Sequence, residues 1–289
     1  MGCDVAAVLA VTTPPSPGLS TTLAKRALTT VVAVPLFVWV VAAAPRWVFA
    51  LLVVAASAMA AWELMRMFER AGRPGYARLA VGGAAAVTAA SFAAPGAQWL
   101  VAVVFTVVVG LTLSVPVWAD SVPTVEPVAT TLLAIVYVGW LLGYGISLGM
   151  LADGAHLVLV LVGTTWAGES AAYVVGSLLG RHPLAPVISP RKTVEGAAGQ
   201  LVASIVTAAV LGAWLLPRWS MSMAILAGAL LGIVGQIGDL VESVIKRSLG
   251  AKDTGGVIPG HGGVLDRIDG LLFNAPALFY YASWVGGRG

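Results

Sequence analysis

The sequence predicts an all-α polytopic integral membrane protein of about nine transmembrane helices with a cytoplasmic N-terminus. Three observations carry that prediction. The chain is 59% hydrophobic and only 10% charged, where a soluble domain carries roughly 25% charged residues. Its mean hydropathy is +0.94. Apolar runs near the length of about 20 residues that a bilayer core requires recur along it.

The elements follow in order. Residues 1–22 include the Pro/Ser/Thr-rich run TTPPSPGLSTT and read as a disordered tail. The apolar piece Val5–Val11 is short and lacks a basic flank, so a cleaved signal peptide is not expected. Nine spans are then predicted, at 24–44, 46–66, 77–94, 98–116, 128–150, 155–180, 197–216, 221–246 and 268–285. Pro95 and Gly96, between the third and fourth, fit either a kink or a turn. By organisation, residues 23–150 are expected to form an N-terminal transmembrane region and 151–289 a C-terminal one in which the polar residues concentrate.

Charge placement sets the orientation. With the N-terminus inside, all of the sixteen Lys and Arg except Arg46, Arg218 and Arg288 fall on the cytoplasmic side, as the positive-inside rule requires. The net charge of +3 therefore reflects topology, and no nucleic-acid partner is expected. The single Cys and three His, without a CxxC, argue against an internal disulfide or a Cys/His zinc site.

The first four spans are rich in Ala, Val and Gly, with Trp residues near their ends reading as interfacial anchors. Glu63 stands one turn from the end of the second span, within reach of Arg66, and is expected to form a solvated ion pair. GYGISLG in the fifth span lies within an apolar helix, so its glycines point to close helix approach and not to a nucleotide loop.

Polar chemistry begins in the sixth span. Glu169 lies roughly 15 Å from its cytoplasmic end, with Tyr173 on the same face, and is read as lining a polar cavity. The loop RHPLAPVISPRKTVEG contains three prolines that forbid a continuous helix. Within it, Ser189-Pro190 reads as a helix entry. Arg191 and Lys192, with the hydroxyls of Ser189 and Thr193, offer an anion site beside a helix N-terminus, although the cations could equally serve topology.

The eighth span places Asp239, Glu242, Ser243 and Lys246 on one helical face, and Gly228, Gly232, Gly235 and Gly238 thin a flank for close approach. Glu242 and Lys246 form a favourable i,i+4 pair. Asp239 has no basic residue three or four positions away, so its cation must come from elsewhere, and Mg²⁺ is the simplest choice. The following loop adds Lys252-Asp253, a glycine-flanked His261 and Asp266-Arg267-Ile268-Asp269, whose two carboxylates at i,i+3 face one way. Charge this dense within and beside membrane spans marks a functional site.

Ser243-x-x-Lys246-Arg247, Lys252-Asp253, Pro259-Gly260-His261-Gly262-Gly263 and Asp266-Arg267-Ile268-Asp269 together resemble the signature of the phosphatidate cytidylyltransferase (CDP-diacylglycerol synthase) family, unbroken and with its spacing intact. Ser189–Thr193 and Gly238-Asp239-Leu240 also resemble family segments, so the likeness runs from about residue 165 onward; the N-terminal half matches in hydropathy alone. Two positions depart: Glu169 stands where the family usually has Asp, and Val194 where it often has Trp.

The resemblance implies transfer of a cytidylyl group from CTP to phosphatidate at a membrane, with release of pyrophosphate. It implies Mg²⁺, with K⁺ as a monovalent companion, a homodimer, and a bacterial inner-membrane location with the site facing the cytoplasm. Asp239 and Asp266 are the expected metal ligands, with Asp269 as a third candidate. Asp239, Asp266, Lys246 and Arg267 are the expected catalytic group. Ser189, Arg191, Lys192, Thr193, Ser243, Arg247, Lys252, Asp253, His261, Gly262, Gly263 and Glu169 are the expected substrate contacts.

Two other classes use similar residues. A secondary transporter also places carboxylates in glycine-broken spans, but no inverted repeat is visible here. A CDP-alcohol phosphotransferase would carry Asp-Gly-x-x-Ala-Arg, whereas Asp269-Gly270 is followed by Leu-Leu-Phe-Asn.

Overall fold

A computed structural model describes residues 34–93, 98–118, 124–255 and 263–286. A helical segment over 34–42 is followed by eight helices: α1 (Arg46–Arg70), α2 (Ala77–Ala90), α3 (Gln98–Ser114), α4 (Glu126–Gly149), α5 (Gly154–Leu179), α6 (Val194–Leu215), α7 (Met221–Ser248) and α8 (Leu265–Gly286). Six of these, all but α2 and α8, are long and apolar enough to cross a membrane, α3 counted with its 3₁₀ extension to Trp118. The protein is a polytopic membrane protein.

The nine predicted spans meet this architecture unevenly. The 14 residues of α2 rise only about 21 Å, short of a typical hydrocarbon core. The charged first turns of α8, with Asp266, Arg267 and Asp269, lower its hydropathy. The first predicted span is described only from residue 34, and Pro95-Gly96 and the tail 1–22 lie outside the described residues.

The elements of the described residues are helical as expected save for one short hairpin between α5 and α6. Pro183–Ala185 (β1) and Ser189–Thr193 (β2) pair antiparallel, with Pro183 opposite Thr193 and Ala185 opposite Ser189. Ser189-Pro190 therefore belongs to a strand and is not a helix entry. A two-stranded ribbon tolerates prolines because half of its N–H groups need no ladder partner. Helix α6 starts only after Thr193, whose Oγ1 accepts a hydrogen bond from the Gly196 N–H at 3.1 Å as an N-cap.

Two apolar clusters hold the bundle. One joins α1, α2, α4, α7 and α8 through residues such as Leu64, Val138 and Leu272. The other joins α4, α5, α7 and α8 through Leu148, Leu161, Leu231 and Leu278. The two halves of the chain thus share a core. Helix α7 sits at the centre because its glycines admit neighbours on two sides. A Cβ on Gly228 would lie 2.6 Å from the Ile205 Cα of α6, and one on Gly238 3.0 Å from the Asp269 carbonyl oxygen of α8. On the outer face of α6, Val202, Val206, Val210 and Trp214 form an exposed apolar stripe at helical spacing, as a lipid-facing surface requires.

Candidate active site

Helices α5, α6 and α7 and the hairpin enclose a cavity of about 480 Å³. Its polar lining comes from Glu169, Arg191, Lys192, Thr193, Gln200, Gln236 and Asp239, over apolar walls such as Ala172, Leu184 and Leu240. The hairpin delivers its two cations because β2 runs directly into the N-terminus of α6. The hairpin is secured at both ends. Glu195 binds His182 Nδ1 at 2.6 Å and accepts from the Arg181 and His182 N–H groups. Arg247 Nε donates to the Ile188 carbonyl at 3.1 Å.

Asp239 does find its cation elsewhere in the fold: Lys192 Nζ lies 2.6 Å from its Oδ1, across from α7 to the hairpin. Beside this pair, oxygens of Asp239, Glu242 and Asp269 lie within 4.8 Å of one another. Glu242 and Asp269 are buried, and Glu242 Oε1 has no hydrogen-bond partner. Three converging carboxylates with a buried, unserved oxygen form a hard-oxygen set suited to a divalent cation.

Asp266 does not join that group. Its Oδ1 lies 3.0 Å from Lys246 Nζ, and its Oδ2 accepts from the N–H groups of Thr254 and Gly263, both at 3.2 Å. The carboxylates that α7 and α8 bring together are thus Asp239 and Asp269, with Glu242, in place of the expected Asp239 and Asp266. Asp266 and Asp269 share one face of α8 a turn apart, and the position of that helix along its axis decides which of them reaches the group. Lys246 pairs with Glu242 as its spacing predicts and bridges to Asp266 as well. The apparent motif cation therefore sits between two carboxylates.

Of the remaining expected contacts, Glu169 and Thr193 line the cavity, and Glu169 abuts α8 at Gly270, where a Cβ would strike its Oε1. Ser189 and Ser243 are half-buried outside the cavity lining. Arg247, Lys252, Asp253 and Arg267 are exposed. Gly263 is buried against Glu63 and Thr254. His261 and Gly262 lie outside the described residues.

Two residues were misread or missed in the sequence. Glu63 is no solvated partner of Arg66. It is 1% exposed, and its Oε1 and Oε2 accept from the Val264 and Leu265 N–H groups at 2.9 Å each. Arg66 instead lies 3.8 Å from Glu69 and stacks over Trp62. Tyr137 lies in a π-helical stretch of α4, Ile135–Trp140, with its buried hydroxyl unpartnered and within electrostatic reach of Glu242, Asp269 and Asp239. Such π-bulges often mark functional sites, and apolar periodicity gives no sign of this one.

A cavity edged by two basic side chains and backed by a carboxylate cluster, among helices long and apolar enough to cross a membrane, defines a membrane protein whose site offers donors for an anion beside oxygens suited to a cation. The sequence pattern of the cytidylyltransferase family matches residues 24–285, and the chain belongs to that family. It is 40% identical over 150 residues to a phosphatidate cytidylyltransferase of Staphylococcus haemolyticus, covering 52% of this chain and 57% of that protein. A phosphatidate cytidylyltransferase of Synechocystis is 39% identical over 188 residues, covering 55% and 63%. The uncharacterized protein YnbB of Escherichia coli is 42% identical over 151 residues, covering 52% and 50%. The matches thus span between half and two thirds of the length of these relatives.

Proposed function

We propose that the protein transfers a cytidylyl group from CTP to phosphatidate, giving CDP-diacylglycerol and pyrophosphate. The observation that carries this reading is the Lys192–Asp239 pair, which joins the hairpin's two cations to the three-carboxylate group through the cavity-lining Asp239. The family and the names of two relatives supply the substrate class.

In this reading an oxygen of the lipid phosphate attacks the α-phosphorus of CTP, and the bond to the β-phosphate bridging oxygen breaks, releasing pyrophosphate. Both reactants are anions, so their repulsion must be neutralised where they meet. Arg191 and Lys192 hold the nucleotide phosphates, and Lys192 exchanges its contact with Asp239 for a phosphate oxygen as CTP enters. Asp239, Glu242 and Asp269 would hold Mg²⁺, which would supply charge neutralisation and alignment; K⁺ is its proposed companion. Lys246 keeps Glu242 and Asp266 in register, Glu169 faces the cavity from α5, and Arg267, exposed in the first turn of α8, is a further phosphate contact. The lipid enters between helices with its phosphate at the cytoplasmic level of a bacterial inner membrane, in a nine-span topology with the N-terminus inside.

The test is incorporation of radiolabelled CTP into organic-extractable lipid by the purified protein with phosphatidate in detergent. Label is expected to enter lipid with Mg²⁺ and to stop with EDTA. Absence of lipid label at any Mg²⁺ concentration refutes the reaction.

A further inference from the structure

Glu63 stands on α1, yet both of its carboxylate oxygens are spent on the start of α8, 201 and 202 residues further along the chain. This is an N-cap supplied in trans: the first N–H groups of a helix lack intrahelical partners, and the positive end of its dipole favours an anion. Burial removes competition from water, so the two 2.9 Å bonds fix the helix start in direction as well as position. The fit is close, since a Cβ on Gly263 would lie 2.7 Å from Glu63 Oε2. Within the next turn and a half, α8 presents Asp266 to Lys246 and Asp269 to the carboxylate group.

We infer that Glu63 is a positioning residue, which locks the first turn of α8 and thereby sets the register along the helix axis that brings Asp269, and not Asp266, to Asp239 and Glu242. The link to turnover rests on the proposed cytidylyl transfer; the link to α8 does not. Glutamine at this position keeps the shape but has a single acceptor oxygen, and its amide NH₂ would face one of the two N–H groups.

The experiment compares full-length wild type, Glu63→Gln and Glu63→Asp in detergent. Amide hydrogen exchange is measured at Val264 and Leu265, and kcat and KM for CTP are measured with phosphatidate and Mg²⁺. Glu63→Gln is expected to speed exchange at both amides, and to lower kcat roughly 10- to 100-fold with KM for CTP within about twofold. Glu63→Asp, which keeps two oxygens and the charge, should restore part of both. Unchanged exchange at Val264 and Leu265 overturns the inference, as does faster exchange with full kcat. Loss of folding in both variants overturns it too, because the carboxylate would then support the whole bundle and not one helix start. If wild type makes no CDP-diacylglycerol, the catalytic reading fails, and the exchange data still decide whether Glu63 holds α8.

Discussion

Replacing Lys246 with Met tests how the centre of the bundle is held together. The Lys246 side chain is 15% exposed and lies between Glu242, 2% exposed, and Asp266, 17% exposed. Removing one partner from a buried ion pair costs about 3–5 kcal/mol, because the charge left behind stays desolvated. Asp266 retains the Thr254 and Gly263 N–H groups and some solvent, which brings the cost toward the lower figure. Glu242 has no such relief, since its Oε1 is already without a hydrogen-bond partner. The expected loss is about 3 kcal/mol, or about two orders of magnitude in the unfolding equilibrium. The assay is SDS-driven unfolding in mixed micelles followed by Trp fluorescence, in EDTA so that no divalent ion replaces the ammonium group. Wild type, Lys246→Met, Glu242→Gln and the double variant form a thermodynamic cycle. The double variant should be more stable than Lys246→Met alone, because the stranded carboxylate is gone. A loss below about 1 kcal/mol for Lys246→Met, the range of an exposed pair, would refute this account of the bridge. So would strict additivity of the two substitutions.

Three further outcomes follow from the geometry. Asp239→Asn and Asp269→Asn should each reduce CDP-diacylglycerol formation to the EDTA background and abolish Mn²⁺ binding measured by electron paramagnetic resonance; Asp266→Asn should keep Mn²⁺ binding, and the reverse pattern would return Asp266 to the metal. Lys192→Ala should raise KM for CTP about 10- to 100-fold, as expected for a charge-assisted phosphate contact, and an unchanged KM would remove Lys192 from the nucleotide site. Gly228→Ala should destabilise the α6–α7 packing by about 1–3 kcal/mol, since its Cβ meets backbone atoms of Ile205 and Ser204; Gly82→Ala, with open space around it, should unfold like wild type in the same SDS titration.

The sequence alone determined the membrane class, most helix bounds to within a few residues, and the stretch where charge concentrates. Those features are local: hydropathy over about 20 residues and spacing along one helix suffice to read them. The Glu242–Lys246 pair and the close approach at Gly228 and Gly238 were legible for the same reason. Tertiary structure decided which charge meets which. Lys192 reaches Asp239 only because a hairpin folds β2 back toward α7, and that hairpin was hidden behind prolines that exclude a helix without specifying what replaces it. Asp266 and Asp269 are equivalent in the sequence, three residues apart on one face, and only the axial register of α8 against α7 separates a Lys246 partner from a member of the carboxylate group. Glu63 looked like one half of a surface pair because Arg66 is its neighbour in sequence. Its actual partners lie more than 200 residues away, and no local pattern encodes a contact that forms only when α1 and α8 pack into the same core.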